Sequence, residues 1–195
     1  MIAGLYDIFE HWHKQGTCWL ISDTHFNDEE LYVGTKKVER ADADEYVRLI
    51  NSKVGRKDTL IHLGDVGDLE VMKKIRGYKV LIMGNHDSGA TKYKEVFDEV
   101  YTGPIQIVEK LILSHEPLEC GWAFNIHGHV HSFTHKDDAR HMCICPEVTR
   151  QFEPVNFNQL MKSGFMSKIE TQHRKTIDSA TKRARKRGYK LGQKK

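Results

Sequence analysis

Five apolar runs of strand length punctuate the chain: Cys18-Trp19-Leu20-Ile21, Leu60-Ile61-His62-Leu63, Val80-Leu81-Ile82-Met83, Leu111-Ile112-Leu113 and Phe124-Asn125-Ile126. Between the first of them the hydrophobic period lengthens. Tyr46, Leu49, Ile50 and Val54 recur at helical spacing, with Asp42 and Glu45 placed as a capping box and Gly55 as a stop. This predicts a helix covering one face of a sheet. Residues 69–75 predict a second helix ending near Gly77, residues 92–100 a third, and residues 5–14 a short one before the first strand. Later strands follow one another closely, with Thr102-Gly103-Pro104 and Glu109-Lys110 as turns. Such an order predicts an α/β fold with helices packed outside a central pair of sheets.

A length of 195 residues fits one domain, expected over 1–167, followed by a tail at 168–195. The net charge of +3 hides an asymmetry. Residues 168–195 carry 11 Lys and Arg against Glu170 and Asp178, a balance of +9, which leaves −6 for residues 1–167. No run approaches the roughly 18 apolar residues that span a bilayer, and the first ten residues, with Asp7 and Glu10, have no basic leader pattern, so a soluble cytoplasmic protein is expected. The four cysteines lack a disulfide-framework or Cys-x-x-Cys spacing. Cys143-x-Cys145 has the spacing of a soft-metal pair, but strand alternation produces it too and is preferred; reduced thiols are expected.

What changes the picture is the polar block that ends each apolar run. In chain order these are Asp23-Thr24-His25, Gly64-Asp65, Gly84-Asn85-His86-Asp87, His115 and Gly128-His129-Val130-His131. They fall at the carboxyl ends of strands, where open α/β sheets keep their sites. Singly each block is common in unrelated chains; five in order, each after a strand-length run, are not. The donors are carboxylate, imidazole and amide oxygen without thiolate, a set suited to Mn²⁺, Fe²⁺, Ni²⁺ or Zn²⁺ that does not itself rank them. His11 and His13 point to different faces of their helix and are assigned to the surface, and His62 to the core.

The whole pattern resembles the calcineurin-like metallophosphoesterase superfamily, whose signature runs D-x-H, G-D, G-N-H-[D/E], H, G-H-x-H. Ile21-Ser22-Asp23-Thr24-His25-Phe26 and the small size look most like its compact bacterial and phage phosphodiesterase-type members. The resemblance implies an α/β sandwich of two mixed sheets flanked by helices, with residues 141–149 as its late strand and 158–168 as its closing helix. It also implies two divalent ions, Mn²⁺ taken first, with Asp23, His25 and His131 on one, Asn85, His115 and His129 on the other, and Asp65 bridging. A shared hydroxide would attack phosphorus and His86 would protonate the leaving alcohol. Asp68, in a Gly-Asp-x-x-Asp block, would orient His86, while Asp87 braces its loop by local hydrogen bonds.

The chain also departs from its relatives. Gly64-Asp65-Val66-Gly67-Asp68-Leu69-Glu70 lacks the arginine of the protein phosphatases, and Asn27-Asp28 replaces a Gly-His common in compact relatives. A replacement phosphate-binding cation could come from Lys36, Lys37 or Arg40, with Arg40 preferred for its bidentate geometry and a solvated charge run as the alternative. Gaps of 42, 20, 30 and 14 residues between Asp23, Asp65, Asn85, His115 and His129 leave no room for a capping domain, so an open site is expected. Openness suits a small phosphodiester or nucleotide substrate. The alternatives are a nuclease recruited to nucleic acid by the basic run from Lys182 to Arg187, a phosphomonoesterase, and a non-catalytic scaffold, against which an intact His86 argues. A disordered solubilising tail is the other reading of that run.

Overall fold

The computed structural model of the protein describes residues 2–29, 31–33, 36–38, 42–132 and 135–170, with Ser179, Lys182, Arg183, Lys186 and Arg187 of the tail. In chain order come a 3₁₀ helix (Asp7–His13), β1 (Cys18–Ile21), β2 (Tyr32–Val33), β3 (Lys36–Lys37), α1 (Ala43–Lys53), β4 (Thr59–His62), α2 (Leu69–Lys73), β5 (Tyr78–Ile82), α3 (Ala90–Tyr93) and β6 (Glu99–Tyr101). There follow β7 (Ile105–Val108), β8 (Leu111–Leu113), β9 (Phe124–His127), β10 (His141–Cys143), α4 (Pro146–Thr149), β11 (Val155–Asn156) and α5 (Phe157–Lys162).

Two mixed sheets form the body, as expected. The first has the order β11-β1-β4-β5-β6, parallel except for β11; the second runs β10-β9-β8-β7, parallel except for β7. Parallel strands buried on both faces read as unbroken apolar runs, which is why β1, β4 and β5 are conspicuous in the sequence. Leu20, Ile61, Val80 and Ile82 face inward and meet Leu111, Leu113, Phe124 and Ile126 of the second sheet. Alternate residues Ile21, Leu60 and Leu81 face outward and pack with Tyr46 and Ile50 of α1, Val71 and Met72 of α2, and Tyr93 of α3. Helix α1 starts where predicted, the Asp42 carboxylate accepting from Asp44 N and Glu45 N.

Three predicted elements differ. Residues 92–100 are not one helix: α3 ends at Tyr93 because Asp98 N bonds Lys79 O and Glu99–Tyr101 then joins β5 as an edge strand. The strand predicted over 141–149 stops at Cys143, and Pro146, which cannot donate to a ladder, opens α4 instead. The closing helix is shorter, Phe157–Lys162, capped by Asn156. Ile169, 6% exposed, still belongs to the core between the sheets, so packed chain continues past residue 167. Among the described residues no helix is long and apolar enough to cross a membrane, and all four cysteines are free. Of the basic run, Lys182, Arg183, Lys186 and Arg187 are exposed and the rest lies outside the described residues.

Candidate active site

The polar blocks leave the carboxyl ends of β1, β4, β5, β8 and β9 and are zipped to one another by main-chain bonds. Asp23 N donates to Gly64 O (2.9 Å), His25 N to Asp65 O (3.1 Å), Phe26 N to Val66 O (3.0 Å) and Gly128 N to His115 O (2.9 Å). Four donor residues have left-handed backbones: Asp23 (φ 53°), His25 (41°), Asp65 (57°) and His129 (68°). Each such conformation in a non-glycine residue costs on the order of 1–3 kcal/mol and persists where its surroundings over-determine it. The glycines in the blocks permit close approach. A Cβ on Gly128 would run into Ser22 Oγ and Asp23 Oδ2, and one on Gly64, itself at φ 93°, would lie 2.7 Å from His115 Nδ1.

All seven expected donor residues converge. Asp23, His25, Asp65 and His131 each bring an atom within 4.8 Å of the others, and His131 Nε2 is 3.1 Å from Asp23 Oδ1. On the other side Asn85 Oδ1 lies 2.8 Å from His115 Nε2 and 3.0 Å from His129 Nδ1, which are themselves 3.2 Å apart. Asp65 Oδ2 sits between, 3.5 Å from His25 Nε2 and 3.3 Å from His115 Nε2. The His115 Nδ1–H is taken by Leu63 O at 2.8 Å, which leaves the Nε2 lone pair facing the Asn85 and Asp65 oxygens. Such a set of mutually facing lone pairs is relieved by a proton or a cation, so the residues fit divalent metal ions.

The electrostatics have the same origin. Burial works to raise the pKa of Asp23, but hydrogen bonding and charge from His131 outweigh it and hold the carboxyl well below the usual range. Burial likewise opposes ionisation of Asp65, and His115 overcomes it. Burial lowers His131 and His115, yet Asp23 and Glu147 carry His131 up to about 9, and Asp65 and Asp23 raise His115.

Outer partners orient the donors. His25 Nδ1 meets Asp28 Oδ2 (3.1 Å) and His131 Nδ1 meets Glu147 Oε2 (2.9 Å), leaving Nε2 of each turned inward. Glu147 was not found from the sequence; its place at the start of α4, just after Pro146, was hidden by the strand expected there. The Cys145 thiol donates to Asp23 Oδ2 (3.1 Å). Asp87 accepts from the backbone N–H groups of Asp65, Val66 and Gly84 and from the Tyr93 hydroxyl, all within 2.8–3.1 Å, and so ties the β4 and β5 loops together. His62, fully buried, bonds Thr24 Oγ1 and Gly64 N.

Asp68 requires a correction. Its Oδ1 caps α2 by accepting from Glu70 N (2.9 Å) and its Oδ2 accepts from Asn27 Nδ2 (2.7 Å); it makes no hydrogen bond to His86. An Asp directly before Leu69-Glu70 is itself a helix-start signal, and the cap took precedence. His86 is exposed, its backbone N bonded to Asp65 Oδ1 (2.9 Å) and its ring 5.3 Å from that of His25. Arg40 and the Lys36 side chain lie outside the described residues, whereas Lys37 lines a groove of about 510 Å³ together with His25, Asn27 and Asp28. A second groove, about 340 Å³, opens beside Asn85 and His115 between Thr102, Pro104 and Leu118.

A profile of the calcineurin-like phosphoesterases matches residues 16–151. The chain belongs to that family. The chemistry of this calcineurin-like phosphoesterase is therefore hydrolysis of phosphoric esters, and the match covers every donor residue. Among solved structures, it is similar to a protein of unknown function from Aquifex aeolicus, with 26% identity and a TM-score of 0.57 over 75% of this chain and 98% of that one. Weaker similarity reaches the nuclease MPE of Pseudomonas putida (22% identity, TM-score 0.43, 58% of this chain and 61% of that one). The phosphoesterase Yfce of E. coli is weaker again (19% identity, TM-score 0.39, 67% and 78%). No curated protein matches this phosphoesterase in sequence.

Proposed function

We propose that the protein is a phosphodiesterase acting on a nucleotide or similar small phosphodiester, with two divalent ions as cofactors, Mn²⁺ before Fe²⁺, Ni²⁺ or Zn²⁺. Asp23, His25 and His131 hold one ion, Asn85, His115 and His129 the other, and Asp65 serves both. The observation that carries this reading is the single oxygen, Asp65 Oδ2, facing both histidine groups at 3.5 and 3.3 Å. When bound, such an ion pair supplies a nucleophile at neutral pH and neutralises charge building on the phosphate oxygens.

The protein's own groups supply the rest. His86, at the rim and pinned through its backbone to Asp65, donates the proton that the departing alkoxide needs. Asn85 turns its oxygen inward, so its amide N–H groups remain to bond a phosphate oxygen. Lys37 in the first groove is a cation for the phosphate or its neighbour, with Arg40 proposed to act beside it. Diester over monoester is supported by the two grooves, one beside each donor group, because a diester has two substituents to place.

The test is hydrolysis of bis-p-nitrophenyl phosphate against p-nitrophenyl phosphate by stripped protein resupplied with Mn²⁺, Ni²⁺, Zn²⁺ or Mg²⁺. Diester preference with a transition metal is expected. Monoester preference would overturn the diester assignment, and no turnover with metal bound would leave a scaffold. The charge of the tail, +9 over residues 168–195, supports nucleic acid as an additional partner. Truncation after Glu170, which keeps Ile169 in the core, should abolish gel-shift of single-stranded RNA or DNA and spare small-ester hydrolysis.

A further inference from the structure

Behind the loop of Gly128–His131, on the far side of the second sheet from the interior, lies another set of donors. Phe124, Ile126 and Met142 face the core, so the alternating Asn125, His127, His141 and Cys143 share the opposite face of β9 and β10. His127 and Cys143 are directly paired in register. His135, from the connection between these strands, places its ring 6.0 Å from that of His127. His127, His135 and Cys143 each bring one donor atom within 4.8 Å of the others.

Two of these atoms are anomalous as they stand. His127 is 1% exposed, its Nδ1 is engaged by Gly128 O at 2.8 Å, and its Nε2 has no hydrogen-bond partner; nor has the buried Nε2 of His135. An unsatisfied buried polar atom costs about 1–3 kcal/mol, and two of them belong to the histidines grouped with one thiol. The fixed Nδ1–H of His127 is the outer-partner arrangement that presents Nε2 as a ligand. His141, by contrast, is fully occupied, with Nδ1 on Asp138 and Nε2 on Leu118 O.

We propose that His127, His135 and Cys143 form an additional metal site of the zinc class, separate from the cluster around Asp65. A thiolate with two imidazoles is a softer set than that cluster offers, and tetrahedral zinc accepts it. Asp137 is the neighbouring carboxylate, its Oδ1 3.8 Å from His135 Nε2 while accepting from Cys143 N at 2.9 Å, and water or this side chain would complete the set. The ion ties the ends of β9 and β10 to the loop between them. Because His127 Nδ1–H bonds Gly128 O, it also fixes the start of the segment that carries His129 and His131. Cys143 belongs to this group, and Cys145, which interacts with it, donates to Asp23. The site does not depend on the phosphodiesterase reading.

Cobalt substitution of the full-length protein tests it. Stripped protein titrated with Co²⁺ should take up three equivalents and develop a near-ultraviolet thiolate-to-cobalt charge-transfer band, which the oxygen and imidazole donors assigned to the Asp65 cluster cannot give. Cys143→Ser, and independently His135→Ala on the loop, should each lose the band and one equivalent, while Asp65→Asn should keep the band. A band absent from the unmodified protein, one that survives Cys143→Ser and so belongs to Cys145, or one lost in Asp65→Asn overturns the proposal.

Discussion

The outer face of the first sheet, built of Ile21, Leu60 and Leu81, is sealed by helices, whereas that of the second, built of Asn125, His127, His141 and Cys143, is sealed by polar loops. One is held by apolar area and tolerates exchange among side chains of similar volume; the other is held by pairs of named atoms and does not. The contrast extends to the carboxyl ends. The first sheet sends Asp23, His25, Asp65 and Asn85 to the site, hence both carboxylates of the donor set, while the second sends only His115, His129 and His131 to it. The negative charge of the donor set therefore comes from one side.

The largest effect should follow removal of the shared carboxylate. Asp65→Asn is expected to abolish turnover and lower metal content, and a variant with normal metal and rate would break the division between the sheets. His86→Ala should retain metal and lose about 10²–10⁴-fold in rate, least with nitrophenol leaving groups, as compared across esters of rising alcohol pKa. An equal loss for all leaving groups would remove its acid role. On the first sheet's outer face, Leu81→Ala should cost about 2–5 kcal/mol and Leu81→Met under about 1.5 kcal/mol in urea unfolding. On the second, Asn125→Ala should cost about 1–3 kcal/mol and Asn125→Leu should recover none of it, because Asn125 bonds Leu118 N, Ile112 O and Ser114 Oγ. Recovery by leucine would erase the contrast.

The smallest effect concerns pH. His131 in the metal-free fold is raised to about 9 from 6.5, so the stability its proton confers is complete below about 6.5 and is lost as pH rises through about 9. The melting temperature of stripped protein should fall across that window, and metal affinity should rise across it as the proton stops competing. Thermal scans with and without Mn²⁺ at each pH measure both.

The strands that matter most were legible because parallel pairing buries both faces and turns Leu60-Ile61 or Leu81-Ile82 into unbroken apolar runs. Their terminal donors were legible for the same reason, each standing where such a run stops. What stayed hidden depended on contacts across the fold. Val96 and Phe97 extend a helical spacing from Tyr93, but pairing of β6 with β5 decides residues 99–101. Glu147 acquires its role only when α4 places it 2.9 Å from His131, and His127 and His135 are ordinary histidines until β9, β10 and their connection bring them to one thiol. Asp68 misled because the motif spacing and the helix-start signal coincide on one residue.

The left-handed backbones at Asp23, His25, Asp65 and His129 bear on when the protein acquires its ions. A short peptide does not hold such conformations, so no single block can capture a cation as it leaves the ribosome. The main-chain bonds between blocks, Asp23 to Gly64 and His25 to Asp65 among them, need only the docked sheets. The docked sheets thus assemble a donor set that none of the blocks forms alone.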